Sequence, residues 1–307
     1  MYIISGSGHD NDLSVLKRDA KDNDWGPPEN LGRTVNSPSP GVDDSGPSIS
    51  ADGLTLYFHS NRTGGYGSWD IYMTTRATKN DPWGPPVNLG AKVNSSSADV
   101  GPWISPDGLE LYFHSWRPGG YGGADLWAVE RATADEPWGP VVNLGPPLNS
   151  ASDDGWPCVS PDGLVLLFCT YRAGGYGEED IWMARRTNSA PWQTPANLGP
   201  KVNAFTYNDL SRISPDGRTL YFWTGRTIDP GTNDNWQAPI LPIVDFNGDK
   251  KVDLVDLVLL IDHWGTNKTL CDIGPMPWGD GKVDIEDLKV FMTHWEKENP
   301  ADSKDDR

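Results

Sequence analysis

From Leu54 to Arg76 the chain reads "LTLYFHSNRTGGYGSWDIYMTTR". Its opening residues alternate: Leu56 and Phe58 fall on one face of an extended strand, Tyr57 and His59 on the other. The alternation stops at "GGYG" and resumes in "DIYMTTR", which predicts a pair of antiparallel strands. The pattern returns in "LELYFHSWRPGGYGGADLWAVER" (109–131) and "LVLLFCTYRAGGYGEEDIWMARR" (164–186), with fainter copies at 1–19 and 218–240. Leu56, Leu111, Leu166 and Leu220 keep the register at intervals of 55, 55 and 54 residues. A period of this length signals a repeat architecture.

Each period supplies two further strands. An inner one, "GPSIS" or "GPWIS", precedes an "SADG" or "SPDG" turn, where Gly tolerates positive φ. At the other end stands a Pro-rich phrase: "WGPPENLG" (25–32), "WGPPVNLG" (83–90), "WGPVVNLG" (138–145) and "WQTPANLG" (192–199). Proline has no N–H to donate, so this phrase belongs on the outer edge of a sheet, with its Trp covering the flank. Four-stranded units in tandem, with no helices between them, predict a mainly β fold, a β-propeller of about five partial or complete blades over residues 1–242. The first copy lacks an inner strand and the last lacks the Pro-rich phrase.

Beyond residue 243 the period changes to that of helices. "DFNGDKKVDLVDLVLLIDHW" (245–264) is echoed 31 residues later by "WGDGKVDIEDLKVFMTHW" (278–295). Leu257, Leu260 and Trp264, and their counterparts Leu288, Phe291 and Trp295, share one helical face. Before each helix the carboxylates follow the spacing of a calcium loop, with hard oxygen ligands at positions 1, 3, 5, 9 and 12 and a carbonyl at 7. In the first loop these are Asp245, Asn247, Asp249, Asp253 and Asp256, with the Lys251 carbonyl. In the second, Asp280, Asp284 and Asp287 keep their places, with the Lys282 carbonyl, while positions 1 and 3 fall on Met276 and Trp278. Asp272 is the substitute available upstream. Position 6 of the first loop is Lys250 where a sharp turn favours Gly.

The formal net charge of -18 and a sequence pI near 4.5 argue against nucleic acid or an anionic membrane surface as partner. No apolar run approaches the roughly 20 residues that span a bilayer. The start, "MYIISGSGHD", carries no signal peptide in the chain as given, and upstream sequence with an export signal is expected. Cys158, Cys169 and Cys271 form no metal spacing and read as buried thiols.

Two resemblances follow from these motifs. The "ISPDGLTLYF…NRxGGYGxxDIW" pattern of residues 1–240 resembles the WD40-like propeller repeats of the TolB type, which implies a binding platform. The duplicated loop and helix of residues 243–297, with Asp at position 12 of each loop, resembles a type I dockerin, an EF-hand-type calcium-binding module. That resemblance implies Ca2+, a cohesin-like partner, secretion and attachment to an assembly that degrades polysaccharide. Partner contact would fall on Leu254, Val255, Ile285 and Glu286, which are not the Ser/Thr pair common in such modules. A self-contained calcium-stabilised domain is the alternative. Residues 298–307 read as a polar tail.

Several propeller residues are candidates for a site. Asp44, Asp99, Asp154 and Asp209 precede the inner strands at intervals of 55. They form either a carboxylate ring at the channel, for a cation or sugar hydroxyls, or a set of structural caps. Tyr66, Tyr121 and Tyr176 sit at loop tips, to stack on a sugar or to cover their own glycines. Arg62, Arg117, Arg172 and Arg226 recur with Asp12, Asp70, Asp125, Asp180 and Asp234, as pairs bracketing the "GGYG" loop. His59 and His114 share a position that elsewhere holds Ile4, Cys169 or Trp223, which suits packing. Catalysis would need residues that break the repeat, yet Glu29, Glu110, Glu130, Glu136, Glu178 and Glu179 form no acid–base constellation legible in the sequence. The favoured reading is a secreted, non-catalytic binding propeller carrying a calcium-dependent docking module. The alternative is a propeller glycoside hydrolase or lyase, and a third possibility is a purely structural cell-surface protein.

Overall fold

A computed structural model describes residues 1–5, 11–18, 24–186, 190–200, 202–203, 207–214, 217–225, 233–240, 246, 252, 254–266, 271–274 and 282–298. They form two compact units: Met1–Arg185 with Trp192–Arg212 and Phe222–Trp236, and Arg186–Pro191 with Ile213–Tyr221 and Gln237–Arg307.

Among the described residues the strands form five sheets, the blades of a five-bladed propeller, and those of blades 1 to 4 are antiparallel. Blade 1 holds β1 (Tyr2–Ser5), β2 (Asp12–Val15) and β3 (Glu29–Asn30). Blade 2 holds β4 (Asp44–Ile49), β5 (Thr55–Ser60), β6 (Asp70–Thr75) and β7 (Val87–Asn88). Blade 3 repeats it as β8 (Asp99–Ile104), β9 (Glu110–Ser115), β10 (Asp125–Glu130) and β11 (Val142–Asn143). Blade 4 is β12 (Asp154–Val159), β13 (Val165–Thr170), β14 (Asp180–Arg185) and β15 (Ala196–Asn197). Blade 5 has β16 (Tyr207–Ile213), β17 (Thr219–Gly225) and β18 (Asn233–Pro239). Within each blade the strands pair in sequence order. Strand β8 packs beside β4 and β12, which marks these as the innermost strands.

The Pro-rich phrase is the outer edge, as its lack of donors requires, but only its Val-Asn or equivalent dipeptide joins the ladder: Tyr72 faces Asn88 and Met73 faces Val87. The rest of the hold comes from an asparagine that follows. The Asn94 side chain accepts from Ile71 N–H (2.8 Å) and donates to Ile71 C=O (3.0 Å), so its amide imitates a strand residue. Asn36 on Leu13, Asn149 on Leu126 and Asn203 on Ile181 do the same. The phrase's Trp covers the seam between blades. Trp138 of blade 3 meets Tyr57 of blade 2 edge-on at 6.5 Å, and Trp83 of blade 2 meets Tyr2 of blade 1 at 6.1 Å. Arg131 and Arg76 lie over these indoles at 4.4 and 4.3 Å. The seams are apolar. Tyr57, Ile71, Val93, Leu111, Phe113 and Trp138 form one buried cluster. Burying each large side chain contributes about 1.5–3 kcal/mol.

In the second unit, α1 (Leu254–Asp262) and α2 (Ile285–Glu298) supply a small core of Phe246, Val252, Leu260, Cys271, Ile273, Val283 and Phe291. Leu260 and Phe291 are fully buried, Leu257, Leu288 and Trp295 pack against them, and Phe246 stacks on Phe291 at 5.9 Å. Trp264 departs from the expected face and is 45% exposed, because α1 ends at Asp262 and turns before it. Residues 299–307, most of the expected tail, lie outside the described residues. Among the described residues no helix is long and apolar enough to cross a membrane.

Candidate functional site

The repeated charges hold the blades together. Asp44, Asp99 and Asp154 are fully buried. Each pairs with the recurrent arginine of its own blade: Arg62 to Asp44 at 2.5 Å, Arg117 to Asp99 at 2.5 Å and Arg172 to Asp154 at 2.7 Å. The second oxygen of each accepts a backbone N–H from the loop entering the blade, of Ser37, Ser95 or Ser150. The same arginines donate to the Val35, Val93 and Leu148 carbonyls. Asp44, Asp99 and Asp154 are thus engaged inside the blades, and the expected partnership of Arg62 with Asp70 is corrected to Arg62 with Asp44. Asp70 instead accepts the Tyr66 N–H (2.6 Å) and the Asn88 amide (2.9 Å), which fixes the "GGYG" loop. The side chain of Asp209 and all of Arg226 lie outside the described residues. The Tyr66, Tyr121 and Tyr176 rings are 54%, 57% and 61% exposed. They stand at loop tips and do not line the cavity described next.

Where the repeats disagree, the side chains converge. A cavity of about 540 Å³ opens between blades 2, 3 and 4, at the end where β4, β8 and β12 begin. A volume of this size is typical of small-ligand sites. Its lining comes from positions that flank the invariant Asp and Arg residues. The residue before the third strand is Trp69, Ala124 or Glu179, and the residue after the second is Trp116 or Tyr171 in blades 3 and 4. Trp116 and Tyr171 are 46% and 42% exposed.

His59 and His114 form the buried wall. Gly101 N–H donates to His59 Nδ1 (3.3 Å), and Trp156 N–H donates to His114 Nδ1 (3.2 Å), so each ring ties its blade to the next. Burial holds both imidazoles at about 3, far below their ordinary value. They are neutral, and the accepting Nδ1 leaves the proton on Nε2. This agrees with the packing role expected for them.

Trp156 breaks the repeat most sharply. The inner strands of blades 2, 3 and 4 carry a bulge: Gly46–Pro47, Gly101–Pro102 and Trp156–Pro157 lie between ladder positions that shift register. The bulge residue has positive φ, +63° at Gly46, +62° at Gly101 and +51° at Trp156. A Cβ at Gly46 would stand 2.5 Å from the His59 ring, and one at Gly101 2.8 Å from that of His114. In blade 4 the residue facing the bulge across the ladder is the smaller Cys169, paired beside Gly155 as His59 is beside Ser45. The indole then lies 4.9 Å from His114 and 5.8 Å from His59, centroid to centroid. A non-glycine residue held in this region costs roughly 1–3 kcal/mol, and such strain collects at functional sites.

Two carboxylates reach the cavity. Glu179, half-buried, accepts from the Tyr171 hydroxyl at 3.2 Å. Asp153 accepts the Ala124 N–H at 2.8 Å. Asp43 of blade 2 accepts the Asn11 N–H of blade 1 at the same 2.8 Å, so the Asp153 contact repeats an inter-blade tie. Sequence reasoning passed over Trp69, Trp116, Trp156, Tyr171 and Asp153. Their signal was present, as mismatches within an otherwise regular 55-residue repeat.

In the second unit two carboxylates near the helix starts accept backbone N–H groups in the same way. Asp256 and Asp287 are fully buried. Phe246 N–H donates to Asp256 (2.7 Å), and Ile273 N–H donates to Asp287 (2.6 Å). Phe246 follows Asp245 in the chain and Ile273 follows Asp272. Asp287 also accepts from Gly274 (2.8 Å) and Asp284 (2.6 Å). Desolvation raises its pKa above the usual carboxylate value. Lys282 lies 3.6 Å from Asp284. Asp245, Asn247, Asp249, Lys251, Asp253 and Asp280 lie outside the described residues. Leu254, Val255, Val258 and Ile261 of α1 are 65%, 52%, 53% and 54% exposed, and Ile285 of α2 is 50% exposed.

No family model matches the chain, and no curated protein does. Solved structures do. A thermostable family-43 glycoside hydrolase is 15% identical, with a TM-score of 0.51, over 78% of this chain and 85% of that one. TolB from Acinetobacter baumannii is 15% identical, with a TM-score of 0.49, over 78% of this chain and 49% of that one. A putative TolB from Agrobacterium tumefaciens is 20% identical, with a TM-score of 0.45, over 70% and 62%. The chain thus spans about half the length of the Acinetobacter TolB. At this identity the likeness to the family-43 glycoside hydrolase shows the fold alone, a β-propeller.

Proposed function

We propose that the propeller is a carbohydrate-binding platform whose site is the cavity between blades 2, 3 and 4. The observation that carries this reading is the gathering of Trp69, Trp116, Trp156 and Tyr171 in one cavity of about 540 Å³, at positions where the repeat is otherwise free to vary. Aromatic faces accept the apolar faces of sugar rings, and a few placed polar groups fix orientation. Hydrolysis in the same cavity is the second reading, favoured by Asp153 and Glu179 both lining it and by the family-43 likeness. Binding is preferred because the Asp153 carboxylate is engaged in the same structural tie as Asp43. A glycosidase needs two carboxylates about 5–9.5 Å apart. A glycan array followed by product analysis tests the choice. Binding without products is expected; product release that E179Q abolishes would overturn it in favour of the enzyme.

The C-terminal unit is proposed as a dockerin-type, calcium-stabilised module that attaches the propeller to a cohesin-like partner outside the cell. The matching backbone N–H bonds to Asp256 and Asp287 support it, as do the exposed Leu254, Val255, Ile285 and, on α2's first turn, Glu286. Ca2+ would be held by Asp245, Asn247, Asp249, Asp253, Asp256 and the Lys251 carbonyl, and by Asp272, Asp280, Asp284, Asp287 and the Lys282 carbonyl. The ion would supply positive charge beside the buried Asp256 and Asp287.

A further inference from the structure

We propose that the cavity recognises an N-acetylated sugar, whose acetamido carbonyl accepts from the Nε2–H pair of His59 and His114. This rests on the carbohydrate reading and narrows it. Both imidazoles line the cavity, yet they are only 5% and 3% exposed. Gly101 N–H and Trp156 N–H donate to their Nδ1 atoms, which fixes the protons on Nε2. No protein group among the described residues hydrogen-bonds either Nε2. Neither Nε2 is sealed in: among the described residues the buried polar side-chain atoms that lack a partner are an Asp125 oxygen and the Trp127 and Trp182 indole nitrogens. Two fixed donors on nearly buried rings thus open on the cavity, and donors so placed are satisfied by water or by ligand.

The chemistry of the pair narrows the ligand. The rings are close enough for a charge on one to oppose a charge on the other, and burial keeps both neutral. They offer dipoles and no charge. An anionic group would gain a counter-charge from them only by protonating one, against that burial. A sugar hydroxyl can accept from Nε2, but it brings a proton that needs an acceptor in turn. A carbonyl oxygen brings two lone pairs and no proton, so it answers the donor pair without a further partner. The amide N–H points away from that oxygen and is left for water or for the Asp153 carboxylate of the lining. The acetamido methyl finds an apolar face beside the donors, because the Trp156 indole lies 4.9 Å from His114 and 5.8 Å from His59, centroid to centroid. The indole N–H groups of Trp69 and Trp156 also have no protein acceptor among the described residues, which adds to the excess of donors.

The test is titration calorimetry on the full chain. Its probes are a β-1,4-linked N-acetylglucosamine tetramer, a β-1,4-linked glucose tetramer and an α-1,4-linked galacturonate tetramer. The N-acetylglucosamine tetramer is expected to bind at least about tenfold more tightly than the other two. Its heat should not change with the ionisation enthalpy of the buffer, since no proton is taken up. H59N and H114N each keep an oxygen near the place of Nδ1, to accept the Gly101 or Trp156 N–H, and remove the Nε2 donor; each should cut the preference. The imidazole nitrogen resonances of the wild type serve where a variant folds poorly. Both Nε2 signals should move with the N-acetylglucosamine tetramer while the rings stay neutral. Equal affinity for the two neutral tetramers, or Nε2 signals unmoved at saturation, overturns the inference and leaves the carbohydrate reading intact. Tightest binding of the galacturonate tetramer, with proton uptake, also overturns it, in favour of a carboxylate on the sugar. No binding of any tetramer removes the inference and the carbohydrate reading together.

Discussion

Trp156 and Cys169 stand together where blade 2 has Gly46 and His59 and blade 3 has Gly101 and His114. The exchange is coupled by sterics. A Cβ at the bulge collides with an imidazole opposite, so a side chain can enter the bulge only where the histidine has gone. The result is an indole on the cavity floor at φ +51°.

Trp156→Gly should therefore separate stability from function. Glycine removes a strain of roughly 1–3 kcal/mol, against the lost packing on His59 and His114. The melting temperature should hold or rise while ligand binding falls. Trp156→Ala keeps the strain, loses the packing and should melt lower. Calorimetry and binding on the two variants check this; a Gly variant that melts well below the Ala variant would contradict it.

The Arg–Asp ties should be costly to break singly. Arg117→Met leaves Asp99 charged and fully buried with only N–H and hydroxyl partners. A loss of about 3–5 kcal/mol in urea unfolding is expected. A loss under about 1 kcal/mol would mean that the carboxylate is solvated and open to ligand.

How much of this was legible in the sequence follows from what each residue does. Residues serving the blade recur in at least four of the five copies, so alignment of the chain with itself exposes Asp44, Arg62, Asp70 and Asn94 as a set. It does not say which Asp an Arg meets. Arg62 and Asp44 are brought together across the β4–β5 pair, and that depends on register. The residues of the proposed site recur nowhere. Trp69, Trp116, Trp156 and Glu179 look like noise until the blades converge on one space. In the second unit, spacing singled out Asp256 and Asp287, and the structure shows each accepting a backbone N–H, from Phe246 and Ile273.

Acid should weaken the propeller through its histidines. Both have folded values of about 3, depressed by burial from 6.5. The unfolded chain thus binds more protons between those values, and stability falls as pH drops from about 6.5 toward 3, by up to about 1.4 kcal/mol per pH unit for each histidine. Replacing both by Gln should flatten that slope in denaturant titrations from pH 7 to pH 4. Parallel slopes would show that the imidazoles are solvated.

Calcium should act on the second unit alone. At a hundredfold excess over Kd, binding adds about 2.7 kcal/mol to the folded state. Chelator should melt the C-terminal unit and spare the propeller, as read by scanning calorimetry with and without Ca2+. Replacing Asp245 and Asp249 by Ala should remove most of the calcium heat, and replacing Asp280 and Asp284 less. No heat in the wild type would dismiss the dockerin-type proposal.

The central claim is that ligand sits among the residues that break the repeat. Indole N–H resonances report it directly, in a two-dimensional NMR titration with a bound oligosaccharide. Trp69, Trp116 and Trp156 should shift together with one Kd, while buried Trp127 and the seam residue Trp138 stay in place. Shifts confined to Trp138, or to none of the three cavity tryptophans, would contradict the account.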